Sequence, residues 1–70
     1  MKAKLTKEYM TKELFSNALE ILLQTKELDE ISVTEIVEIS GLSRSTFYRC
    51  FKDKFELSSW KFAYMLNDIR

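Results

Sequence analysis

Proline and histidine are absent from this chain, and glycine and cysteine occur once each. With no proline to interrupt them and helix formers dominating the remainder, an all-α fold is favoured. The lone cysteine, Cys50, has no partner for an internal disulfide, which fits a reducing cytoplasm. Without histidine, a metal-ligand cluster or a phosphate-binding glycine loop, Cys50 has no base to activate it; neither an enzyme nor a cofactor or metal site is expected. The longest apolar run, Ala18 to Leu23 broken by Glu20, is far too short to span a bilayer, so no membrane partner is expected. The N-terminal lysines do not lead into an apolar stretch and a small-residue cleavage site, so no signal peptide is visible and a cytoplasmic location is expected.

What is present suits one small soluble domain. Seventy residues, 46% of them apolar and 31% charged, lie within the ordinary globular range, with little stability to spare. The net charge of +0 conceals a strong asymmetry. Residues 1–12 carry Lys2, Lys4, Lys7 and Lys12 against Glu8, a balance of +3. Residues 13–38 hold Lys26 against seven acids and stand at −6, whereas residues 39–54 carry Arg44, Arg49, Lys52 and Lys54 against Asp53, again +3. A polyanion responds to the local field and not to the total.

Residues 1–10 read as a basic arm, and the first helix is expected to be secure from about Lys12. Its cap is either Thr6, with Leu5 and Met10 as a hydrophobic staple, or Thr11, with Met10 and Phe15. Leu14, Ala18, Ile21 and Leu22 recur at helical spacing, with Phe15 and Leu19 partly on the same stripe. The helix ends without glycine, so Lys26 or Glu27 is expected to take a left-handed conformation.

The second helix has signals at both ends. Ser32 and Glu35 form a capping box and Ile31 and Ile36 a staple. Gly41 is suited to a left-handed close, with Leu42 placed against Val37 as in a Schellman motif. Val33, Ile36 and Val37 face inward and Ile39 is left partly exposed. Ser43 caps a third helix over 44–51, with Phe47, Cys50 and Phe51 on its buried side and Ser45, Arg49 and Lys52 opposite, flanked by Arg44 and Tyr48. Its first-turn amides also favour a phosphate. Asp53 and Glu56 then box the start of a fourth helix. Two short helices joined by a glycine turn, the second basic on its outer side, have the layout of a helix-turn-helix that sets its second helix in the major groove.

The fourth helix is apolar on two sides. Leu57, Trp60 and Tyr64 make one stripe; Phe55, Phe62, Leu66 and Ile69 make another, near Met65. A domain this small covers one of them, and the other predicts a further surface, a homodimer through Phe62, Leu66 and Ile69 among the options. The alternative to a DNA-reading module is accordingly a small helical protein-interaction or oligomerisation module whose DNA binding is vestigial.

From Thr11 to Leu66 the chain resembles the N-terminal DNA-binding domain of the tetracycline-repressor (TetR) family of bacterial transcription regulators. The likeness is carried by SVTEIVEISGLSRSTFYRCFKDKFEL: the small polar residue opening helix two, the glycine turn, Thr-aromatic-Tyr in helix three, Phe51, and Lys-Asp-Lys before helix four. Trp60, after that segment, looks a little like the subgroup regulating dihydroxyacetone kinase genes. The resemblance implies a homeodomain-like all-α domain of about four helices and a role in transcription regulation, in a family named for a repressor. It implies that Ser32 and Thr34 approach phosphates, that Arg44, Ser45 and Arg49 meet base edges, and that Thr46, Tyr48 and Lys54 hold the DNA backbone. Arg44 and Arg49 would then favour guanines in the site. The division expected is an arm over 1–10, the helix-turn-helix domain over 11–57, and the rest of helix four over 58–70, leading towards a ligand-binding and dimerisation domain absent from this sequence. The chain departs from the family in Val37, where alanine is usual, and in lacking a glycine after helix one.

Overall fold

The computed structural model describes residues 6–69, with side chains described through residue 63. Among the described residues it is all-α, with four helices and no strand: α1 Lys7–Leu23, α2 Val33–Ser40, α3 Arg44–Cys50 and α4 Lys54–Ile69. No described helix is long and apolar enough to cross a membrane. Lys2 and Lys4 of the expected arm, and the Tyr64, Met65, Leu66 and Ile69 side chains of α4, lie outside the described parts.

Thr6, not Thr11, caps α1. Its hydroxyl accepts from the Tyr9 amide at 3.1 Å, while the Thr11 hydroxyl donates back to the Lys7 carbonyl. Lys7–Met10 are therefore helical, and Tyr9 reaches Trp60 of α4 with ring centroids 5.9 Å apart. The buried stripe of α1 is also rotated from the expected one. Phe15, Ala18 and Leu19 are buried, whereas Leu14 is 46% and Ile21 55% exposed. The apolar arc of this helix is wider than its partners can cover, and where α2, α3 and α4 cross it decides which part is taken.

No left-handed residue is needed at Glu27, whose φ of −85° and ψ of 156° are extended. The chain leaves α1 through amide bonds from Thr25 and Lys26 to the Leu22 carbonyl, and a short 3-10 turn at Leu28–Glu30 completes the reversal. The Lys26 ammonium binds the Glu35 carboxylate, tying this connection to the first turn of α2.

The capping box of α2 is present in both directions: the Glu35 amide donates to Ser32 Oγ at 3.1 Å, and the Ser32 amide to Glu35 Oε1 at 3.0 Å. Gly41 closes the helix at φ 78° and ψ 9°, a left-handed geometry. The closure differs in one respect from a Schellman motif. The Gly41 amide bonds the Val37 carbonyl at 3.0 Å, the single-bond left-handed form, because the Leu42 amide is taken by Ser40 Oγ at 3.2 Å.

Residues 41–43 then deliver the chain into α3, which Ser43 caps by accepting from the Thr46 amide at 3.1 Å. Phe47 is the one fully buried residue of α3; its ring meets Phe15 of α1 edge-on, with centroids 5.2 Å apart. Phe51 turns extended, ends α3 one residue earlier than expected and is itself buried among Phe15, Phe47 and Trp60. Asp53 Oδ1 accepts from the Glu56 amide at 2.9 Å, while Glu56 reaches back to the Lys52 amide, one residue short of a reciprocal box. With Leu19, Ile31, Ile36 and Leu57 these aromatics form the core, and Lys61 of α4 pairs with Glu20 of α1 at 3.2 Å over its edge.

Two stability outcomes follow from these closures. At Gly41 an added Cβ meets nothing within 4 Å, so the penalty of Gly41→Ala is conformational alone: about 1 kcal/mol in urea unfolding, with Gly41→Asn recovering part of it. The Lys26 bond, then the Ser32 amide, hold the Glu35 carboxyl below its ordinary value of 4.5. A lowered pKa contributes stability present above the ordinary value and lost as pH falls through the folded one. Glu35→Gln should therefore lower Tm at pH 7 and converge on the parent as the pH falls below 4.5 and through the lowered folded value, a difference that thermal melts across pH 2–7 would read.

Candidate nucleic-acid interface

The packing that buries Phe47 turns the opposite side of α3 outward, and Ser45, Tyr48 and Arg49 are exposed there, with Arg44 exposed at its first turn. Tyr48 is 50% exposed and stands edge-on to Phe47, with ring centroids 5.3 Å apart, so its ring is braced against the buried anchor of α3. Arg44 and Thr34 are brought together across the turn: the guanidinium donates to the Thr34 hydroxyl, fixing the orientation of a long side chain between the starts of α2 and α3. Thr46 is half-buried, its hydroxyl 2.8 Å from that of Ser43. Ser32 is exposed, but its hydroxyl already serves the α2 cap.

Two of the expected site residues are placed differently from the sequence reading. Lys52 does not continue the outer face of α3, because the extended Phe51 ends that helix before it; Lys52 is exposed in the connection to α4. Lys54 is turned towards the interior of the chain. Its ammonium donates to the Ile31 carbonyl at 2.6 Å and the Asp29 carbonyl at 3.1 Å, and lies 5.4 Å from the Phe55 ring centroid. It thus ties the start of α4 to the connection before α2, using two of its three donors.

The structure also adds residues to this surface that sequence spacing did not single out. Lys7 and Thr11 of α1 line a cleft together with Arg49 and Cys50 of α3. Burial pushes the Cys50 thiol up, so it enters the cleft as a neutral group. In the sequence Lys7 is part of the basic arm, and nothing in its spacing connects it to residues more than forty positions away. Among the described residues no group of three or more acidic, cysteine or histidine side chains is placed to hold a metal ion.

No family model matches the chain. Over 66 residues, 89% of its length, it is 33% identical to the HTH-type dhaKLM operon transcriptional activator DhaS of Lactococcus lactis subsp. lactis (strain IL1403), of which it spans 35%. An all-α domain with an outward basic helix after a glycine turn is thus similar in sequence to part of a bacterial helix-turn-helix transcription regulator.

Proposed function

We propose that this chain is the duplex-DNA-reading module of a TetR-like transcriptional regulator, with residues 44–51 presented to the major groove. The observation that supports it most is the polarity of α3: a single buried anchor, Phe47, on one side and Ser45, Tyr48 and Arg49 exposed on the other, within a segment of net charge +3. A seven-residue helix held this way projects few groups, and those it projects are hydrogen-bonding or cationic, as base edges and phosphates require. The sequence likeness to part of a helix-turn-helix transcriptional activator supports the same reading. Arg44, Ser45 and Arg49 are the groups proposed for base edges; Ser32, Thr34, Thr46, Tyr48, Lys52 and Lys54 are proposed for the phosphate backbone. Thr34 and Lys54 would act partly through what they hold, Arg44 in one case and the connection before α2 in the other.

A second reading is favoured by one observation. Phe55 and Phe62, seven residues apart on α4, are 53% and 49% exposed, and large apolar side chains left open on one helix face suit a protein partner or a second copy of the chain. The side chains of Leu66 and Ile69 lie outside the described residues.

Titration with a panel of duplexes at low salt tests the first reading. Binding is expected with a log affinity against log salt slope of roughly −3 to −4.5, for about three to five phosphate contacts. Arg49→Ala should flatten the preference between duplexes. Lys54→Ala should weaken all duplexes alike and lower Tm as well, since two carbonyls lose their donor. Absence of salt-dependent binding, together with a concentration-dependent dimer by sedimentation, would favour the second reading.

A further inference from the structure

Between the N-terminal turn of α1 and the C-terminal turn of α3 lies a cleft of about 320 Å³, lined by Lys7, Glu8, Thr11, Arg49 and Cys50. We infer that this cleft seats one backbone phosphate of duplex DNA, gripped by Lys7 with Arg49 as a second donor, at the edge of the groove-facing side of α3. The inference rests on the DNA-reading proposal above and extends it from the helix-turn-helix to α1.

Four features of the cleft support a phosphodiester. It brings together two cations from elements remote in sequence, Lys7 opening α1 and Arg49 in the last turn of α3, and neither side chain is engaged in an ion pair among the described residues. A phosphate there would be met by an ammonium and a planar guanidinium together, and charge-assisted bonds of this type are the stronger ones. Arg49 has five donors in a fork, enough to reach a base edge and a phosphate from one position. The third feature is the neutral wall. The Cys50 thiol is held protonated by burial, and the Thr11 hydroxyl is spent on the Lys7 carbonyl at 3.0 Å, so neither brings negative charge into the cleft. Among the described residues Glu8 is the only acidic one lining the cleft, and its carboxylate is drawn to Lys12, 3.7 Å away and outside the cleft. The fourth is rigidity. Tyr9, in the first turn of α1, meets the Trp60 ring at a tilted angle, which fixes this end of the helix to the core and gives Lys7 a defined base from which to reach.

The test compares Lys7→Ala, Lys7→Arg and the parent chain for binding to one preferred and one unrelated duplex across a salt series. Lys7 is exposed, so the variants should keep the parent's Tm. Lys7→Ala is expected to weaken both duplexes by about five- to tenfold and to make the salt slope shallower by about 0.9, the contribution of one phosphate, with Lys7→Arg restoring both. Amide shifts at Lys7, Thr11 and Arg49 should follow the duplex and not inorganic phosphate at matched ionic strength. An unchanged slope and affinity for Lys7→Ala, with parent binding intact, overturns the cleft assignment alone. Shifts produced by inorganic phosphate and not by duplex would give the cleft to a free anion and overturn it as well. Failure of the parent to bind any duplex overturns both this inference and the DNA-reading proposal.

Discussion

A helix of seven residues does not hold itself together in water, and α3 persists because Phe47 is fully buried against Phe15. That edge-on ring contact does more than contribute burial. It anchors α3 to the long helix α1 through fully buried rings, and it sets which way the remaining side chains of α3 point. Loss of either ring would cost about 3–5 kcal/mol, comparable with the whole stability expected of a domain this size. The outward presentation of Ser45, Tyr48 and Arg49 is thus a consequence of a core contact, not a separate feature of the surface.

The other interactions serve to keep that contact in register. Gly41 lets the chain reverse tightly enough for α3 to begin against α2, and the caps at Ser32, Ser43 and Asp53 supply partners for amides that α2, α3 and α4 would otherwise leave open. Lys54 and Lys26 do something different. Lys54 reaches from the start of α4 to the Asp29 and Ile31 carbonyls in the connection between α1 and α2, and Lys26, within that connection, reaches Glu35 in the first turn of α2. A connection that lacks glycine is in this way held by side chains, and it positions the start of α2, where Ser32 and Thr34 stand. Structure and the proposed reading of DNA therefore share residues, and a basic side chain near the proposed interface is not by that fact a phosphate ligand.

Local chemistry was legible where cause and effect lie within four residues. Ser32 with Glu35, Ser43 with Thr46 and the left-handed Gly41 appear in the structure in the roles their spacing indicates, and Asp53 caps α4 as expected although Glu56 returns to the Lys52 amide and not to that of Asp53. The sequence was less informative where several local solutions compete. Thr6 and Thr11 are equally good caps by pattern, and the earlier one prevails alongside packing of Tyr9 on Trp60, a partner fifty-one positions away. Leu14 and Ile21 are as apolar as Phe15 and Leu19, and only the placement of the other helices leaves the first pair in solvent.

Sequence alone determined the class of fold, the boundaries of α2, the turn at Gly41 and the basic character of residues 39–54, because propensity, capping and charge are properties of neighbouring residues. Tertiary structure decided which apolar residues became core, that Lys52 falls outside α3, that Lys54 turns inward, and that Thr34 meets Arg44. It also decided that Lys7 shares a cleft with Arg49. These are relations between elements, and no periodicity along the chain encodes the angle at which α1 crosses α3.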